Sequence, residues 1–176
     1  MRYLFVIFSL FFLLTVKSFS IESIFLMPKD SEIALKILCK DLGDAKKSIK
    51  ASIYSFTHYE IAKAIKKAAK NGAKIEIIFD EESNLDNKDS QLGNLAKIKN
   101  IEAYTIKGEQ GKKKYYGKMH MKIAIIDDKK IYFGSANWSH SAFSISYELL
   151  YSTTSQEIID ENLVFFNEML KNSTKY

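Results

Sequence analysis

Arginine is nearly absent from this chain of 176 residues, because Arg2 is the only one among its 26 basic residues. Any anion held further along must be met by ammonium groups, backbone N–H and neutral side chains, without a bidentate guanidinium fork. A single Cys excludes a disulfide scaffold, and an apolar fraction of 47% excludes a disordered chain. That residue, Cys39, falls in the apolar phase of a helical stretch with Leu35, Leu38 and Leu42 and reads as a small core residue. The three His come with no C-x-x-C and no H-E-x-x-H, so no metal or other cofactor is implied. The acidic run Asp80, Glu81, Glu82 is the one conceivable cation site, and it reads as a solvated loop.

The apolar residues are unevenly spread. Residues 3–16 (YLFVIFSLFFLLTV) form an uncharged run directly after Arg2. As a helix it would cover roughly 21 Å, short of the roughly 30 Å hydrocarbon core of a bilayer. Two readings fit residues 1–20: a signal peptide cut before Ile21, with small residues at Ser18 and Ser20, or an uncleaved N-terminal anchor giving membrane association through residues 3–16. Both place residues 21–176 outside the cytoplasm, in the periplasm, secreted or attached to the membrane. Without residues 1–20 the chain loses Arg2 and Lys17 and no acid, so 24 Lys face 21 acids and the net charge falls from +5 to +3.

Residues 21–176 alternate strand and helix patterns. Strands are expected at 23–27, 49–56, 73–79, 101–106, 120–127, 131–135 and 147–153. Helices are expected from Asp30 to about Lys47, from His58 to Asn71 with Thr57 and Glu60 as a capping box, and at the C-terminal end of the chain, capped by Thr154 and Glu157; a shorter one ends near Lys99. One α/β domain follows, a mixed and mostly parallel sheet flanked by helices on both faces.

The chemistry concentrates in His120–Asn137, HMKIAIIDDKKIYFGSAN. Alternation along a strand points His120 and Lys122 to one side, and Ser135 and Asn137 share a side just past Gly134 on the next strand. If the two strands pair, an imidazole, an ammonium, a hydroxyl and a carboxamide converge. Such a set suits a tetrahedral oxyanion such as phosphate. Asp127 falls on the opposite strand face and is expected to be structural, for instance by hydrogen bonding the following turn.

The spacing H-x-K, four residues, Asp, six residues, G-S-x-N resembles the signature of the phospholipase D superfamily at His120, Lys122, Asp127, Gly134, Ser135 and Asn137. The YSF strand end at Tyr54–Phe56 and the Tyr147–Glu148 pair resemble the superfamily's small bacterial nucleases. The resemblance implies a metal-independent phosphodiester hydrolase acting through a phosphohistidine, in which two motifs build one site. This chain has one motif, since neither His58 nor His140 has a Lys two residues on. A homodimer with two copies of His120 facing each other is therefore implied. His120 would be nucleophile in one subunit and general acid/base in the other. Lys122, Asn137 and Ser135 would hold the non-bridging oxygens, and Glu148 would accept a hydrogen bond from the second nitrogen of His120.

The motif fixes the reaction but not the substrate. Lys112, Lys113, Lys114 and Lys118 surround Tyr115 and Tyr116 immediately before His120, a mixture suited to a phosphate backbone with unpaired bases. A sequence-nonspecific DNA endonuclease, with single strands favoured, is the leading reading; phospholipid head-group hydrolysis is the alternative, and a noncatalytic phosphate-binding module the third. Replacing Lys112, Lys113 and Lys114 by Ala should reduce the slope of log affinity against log salt for single-stranded DNA by about 2. Filter binding across a salt series measures it, and an unchanged slope would make the loop a bystander.

Overall fold

The computed structural model describes residues 19–112 and 114–176. The expectations placed on residues 3–16 and on Lys113 lie outside the described residues. Among those described, no helix is long and apolar enough to cross a membrane. The elements run β1 (Glu22–Met27), α1 (Ser31–Gly43), β2 (Ser48–Ile53), α2 (Tyr59–Lys70), β3 (Lys74–Asp80), α3 (Glu81–Asn84), α4 (Leu92–Ala96), β4 (Ile101–Ile106), β5 (Lys122–Ile126), β6 (Lys130–Gly134), β7 (Glu148–Thr153), α5 (Gln156–Lys171) and β8 (Thr174–Lys175).

The strands form one mixed sheet in the order β1-β7-β6-β5-β2-β3-β4-β8. Five strands (β1, β2, β3, β4, β6) run one way, as a mostly parallel sheet implies, but only the pairings β2–β3 and β3–β4 are parallel neighbours. The other pairings are antiparallel, because β5, β6 and β7 fold as a meander and β1 and β8 close the edges. The three-residue turn between β5 and β6 leaves no room for the crossover that parallel pairing requires.

Helices cover both faces. Leu38 and Leu42 of α1 and Ile61, Ile65 and Ala68 of α2 pack with Ile49, Ala51, Ile75 and Ile77 in the main core. On the opposite face Phe166 and Met169 of α5 meet Ile78, and Ile159 meets Ile125 and Ile131. Cys39 packs against the main core, where burial, with a smaller contribution from Glu60, pushes its thiol up to about 11. It is therefore an unreactive core residue.

Several helix boundaries differ from the sequence pattern. Helix α1 ends at Gly43, short of Lys47, because the N–H groups of Lys46, Lys47 and Ser48 donate to the Asp127 carboxylate at 2.7–3.1 Å. Neither expected capping box forms. His58 is the N-cap of α2, and the backbone N–H groups of Thr57 and His58 both donate to the Trp138 carbonyl at 2.8 Å. Ser155 precedes α5, while the Thr154 hydroxyl accepts the Ile21 N–H at 2.8 Å and so staples the start of the described chain.

Asp127 thus clamps the segment before β2 rather than the turn after it. It also sits in that three-residue connection: Asp127 and Asp128 have φ of 55° and 54°, both left-handed, and Lys129 N–H donates to the Ile126 carbonyl at 3.0 Å. Burial raises the affinity of this carboxyl for a proton, but the backbone hydrogen bonds from Lys46, Ser48 and Lys47 outweigh it and leave the group below its ordinary value of 3.8. A depressed folded-state value contributes stability above the unfolded value and loses it as pH falls through the folded one. Asp127→Ala should cost about 2 kcal/mol at pH 7, and Asp127→Asn, which tolerates the left-handed backbone, should cost less. Urea unfolding at pH 7 and pH 3 checks both, the gap from wild type shrinking at pH 3.

Candidate active site

The C-terminal edge of β2, β3 and β4 is where connections leave a parallel sheet with unpaired groups, and in such sheets ligands are met there. Lys122 opens β5 at that edge, paired with Ile53 at the end of β2. His120 therefore precedes β5, although the sequence pattern places it inside the strand. Tyr54 N–H donates to the Met121 carbonyl at 2.8 Å, and Trp138 N–H donates to the Ser55 carbonyl at 3.1 Å. Consecutive residues, Tyr54 and Ser55, thereby hold the His120–Lys122 segment and the Ser135–Asn137 segment on either side of one strand end.

Lys122 is only 5% exposed. Its Nζ donates to the His120 carbonyl at 2.7 Å and lies 3.1 Å from His120 Nδ1. An ammonium has no acceptor, so in this contact Nδ1 accepts. Burial lowers the affinity of Lys122 for its proton, opposed by the charges of Glu148 and Asp80. Those two carboxylates flank the ammonium from the β7 and β3 sides.

Glu148 does not take the expected bond from His120; it accepts a short hydrogen bond from the Ser135 hydroxyl, which itself accepts the Leu149 N–H at 3.0 Å. His120 Nδ1 instead lies against the Lys122 ammonium. Gly134 makes this arrangement possible, since a Cβ there would collide with the Leu149 carbonyl that receives the Ser135 N–H. The Oδ1 atom of Asn137, an acceptor, is buried and has no partner among the described residues. Asp127 lies at the far end of β5, outside this group. His58 and His140 stack on each other, centroids 5.9 Å apart and nearly parallel, away from His120.

Tyr54, Asp80 and Asn84 were not singled out as site residues by motif reading. The Tyr54 ring packs on the His120 ring at 4.4 Å, with the Lys122 ammonium 4.8 Å and the Lys118 ammonium 5.8 Å from its centroid. Lys118 also donates to the Tyr54 hydroxyl at 3.4 Å. Asp80, far from being a solvated loop acid, is 1% exposed and accepts the Met119 N–H and the Ser83 N–H at 2.9 Å each. The only sequence signal for it was an acid ending a buried strand three residues before Ser83. Of the lysine loop, Lys112, Lys114, Tyr115, Tyr116 and Lys118 are all exposed. The loop is a small hairpin, Gln110 bridging Tyr116 and Gly108 N–H donating to the Gly117 carbonyl at 2.9 Å.

Residues 38–170 match the family described as "Cardiolipin synthase, PLD-like domain". The fold superposes on NucT from Helicobacter pylori with a TM-score of 0.87 and 42% identity, covering 89% of this chain and 99% of that one. Nuc from Salmonella typhimurium, a phospholipase D family member, shares the fold with a TM-score of 0.74 and 22% identity, covering 89% and 98%. Among curated proteins, the mitochondrial cardiolipin hydrolase of Danio rerio is 26% identical over 132 residues, 75% of this chain but only 55% of that relative's length.

The contacts of Tyr54 make it a positioning residue for His120 and Lys122. Cation–π attraction of about 0.5–2 kcal/mol per ammonium sets the scale. Tyr54→Ala should lower kcat toward bis(p-nitrophenyl) phosphate about tenfold with a smaller change in KM, whereas Tyr54→Phe, which keeps the ring and loses only the Lys118 bond, should stay within about threefold. Steady-state kinetics of the two variants checks this, equal loss in both contradicting the packing role.

Proposed function

The chain belongs to the phospholipase D-like family and is a phosphodiesterase, and we propose that it is a metal-independent endonuclease of DNA whose active site is completed by a second copy of itself. The observation that carries this reading is the buried Lys122 ammonium set against His120 Nδ1 at the C-terminal edge of the sheet. A phosphodiester has two non-bridging oxygens, and Lys122, Ser135 and Asn137 are donors suited to them.

Entry of that phosphate gives Lys122 and Ser135 better acceptors than they have. Lys122 releases Nδ1, and the Ser135 hydroxyl releases Glu148. Glu148 is then free to accept a proton-bearing Nδ1, the tautomer in which Nε2 carries a lone pair. Nε2 of His120 attacks phosphorus, an N–P bond forms, the P–O bond to the leaving oxygen breaks, and that oxygen takes a proton from the partner's His120. Water then attacks the phosphohistidine, gives its proton back to the partner's imidazole, and releases a phosphomonoester. The partner's His120 acts as an imidazolium, protonated on both nitrogens, so that giving its Nε2 proton to the leaving oxygen leaves a neutral ring ready to take one from water. The same imidazole thus serves both roles through its protonation state.

DNA is favoured over lipid by the exposed lysines and tyrosines of the hairpin that leads into His120. The family description and the curated relative keep phospholipid head groups as the second reading. The leader-like run at residues 3–16 supports an extracytoplasmic site of action, with cleaved secretion and membrane attachment both consistent with it.

One set of assays tests the reading. Protein purified without its first 20 residues should cleave single-stranded DNA in EDTA at the rate seen with Mg²⁺, and more slowly cleave duplex DNA, while phosphatidylcholine vesicles stay intact. Heterodimers of wild-type and His120→Ala chains, isolated by two affinity tags, should lose at least 100-fold in kcat. Wild-type activity per intact site in those heterodimers would overturn the shared site.

A further inference from the structure

Beside the catalytic edge lies a cleft of about 580 Å³ that the mechanism does not use. It opens over the C-terminal ends of β3 and β4, and its wall toward His120 is made by Lys118 and Met119. A strand whose phosphate rests on His120 therefore passes this cleft with an adjacent nucleotide. The volume is within the range of about 300–1,000 Å³ usual for small-ligand sites.

The chemistry of the walls selects the occupant. Met119 and Met169 are buried and form an apolar floor, while Tyr116 and Phe165 stand about half exposed at the sides, 47% and 48%. Gln110 and Asn172 add side-chain amides, each offering donors and an acceptor. The two lysines of the cleft are already neutralised, Lys107 by Glu81 at 3.2 Å and Lys118 by Glu82 at 3.7 Å, and Glu109 and Glu168 add further negative charge. Such a cavity has no excess of positive charge to draw a phosphate or an anionic head group into it. It fits a flat neutral ring with polar edges.

We infer that this cleft seats one unpaired nucleobase flanking the scissile phosphate, stacked against Phe165 and Tyr116 and read at its edge by Asn172 and Gln110. The inference rests on the nucleic-acid reading above. A base can enter only when unpaired and swung out of its stack, so the cleft is also the physical origin of a preference for single strands.

The test uses single-stranded oligonucleotides in which one phosphodiester is cleavable and all other linkages are methylphosphonates, with an abasic residue placed 5′ or 3′ of it. For the wild type, removing the base on one side should lower kcat/KM about tenfold, and removing it on the other side should have little effect. Stacking of about 1–3 kcal/mol per base sets that expectation. Phe165→Ala and Tyr116→Ala should each lose several-fold on the intact oligonucleotide, and abasic substitution should cost them little more, with unchanged melting temperatures reporting intact folds. Equal sensitivity of the variants and the wild type to the abasic residue, or no sensitivity in either, would overturn the base seat while leaving the nuclease reading standing. Hydrolysis of bis(p-nitrophenyl) phosphate without cleavage of any oligonucleotide would instead remove the nuclease reading, and the seat with it. Loss of phosphatidylcholine hydrolysis in Phe165→Ala would reassign the cleft to a lipid chain.

Discussion

Two buried polar side chains one helical turn apart, Asp80 and Asn84, join three chain segments that sheet pairing alone leaves independent. The Asp80 carboxylate takes the Met119 N–H and caps α3 through Ser83. Asn84 donates to the carbonyls of Tyr54 and Asp80 at 2.8 Å and accepts from the Ser90 hydroxyl at 2.9 Å. The ends of β2 and β3 and the approach to β5 are thus fixed to one turn of helix. In a low-dielectric interior each of these bonds costs the full desolvation penalty if broken, so the network resists partial loosening. His120 owes its position to it, because Met119 is tied on one side and Met121, through Tyr54, on the other.

This explains which parts of the molecule were legible in the sequence. The apolar periodicities of β3, β4 and α2 report burial directly, and those elements lie where the pattern puts them. The H-x-K and G-S-x-N spacings report alternation on adjoining strand ends, and those residues do approach the same edge. Asp80 was illegible because nothing local says that a hairpin folds over it; an acid after a strand reads the same whether solvated or sealed. The capping boxes failed for a related reason. Thr57 had the right spacing, but its backbone is spent on Trp138 to position the Asn137 loop, and the Thr154 hydroxyl is spent on Ile21. Tertiary demand at the site overrode local preference.

Tyr54 shows the limit of motif reading in another way. As part of YSF before a helix it looked like a strand end. In the fold its ring is a common surface for His120, Lys118 and Lys122. A chain with lysine as its only cation after Arg2 needs such a surface, because an ammonium on a flexible stem does not carry the geometric fixity of a guanidinium. The aromatic face supplies the orientation that the missing arginines would have given.

The same absence bears on how the edge divides its labour. Lys122, buried and flanked by Asp80 and Glu148, is fixed in place by its bonds to His120, of which the one to Nδ1 is exchanged for a phosphate oxygen. Lys107 and Lys118, a few residues away, are paired with Glu81 and Glu82 and are thereby withdrawn from competing for that phosphate. With Lys107 and Lys118 each beside a carboxylate, the donors held in fixed positions along this edge are those around His120. Carboxylates in a phosphate-handling protein look misplaced until this is noticed. They localise the phosphate by making the neighbouring ground unattractive, which for a chain that must hold one bond of a long polyanion over one imidazole is as much a part of positioning as the donors themselves.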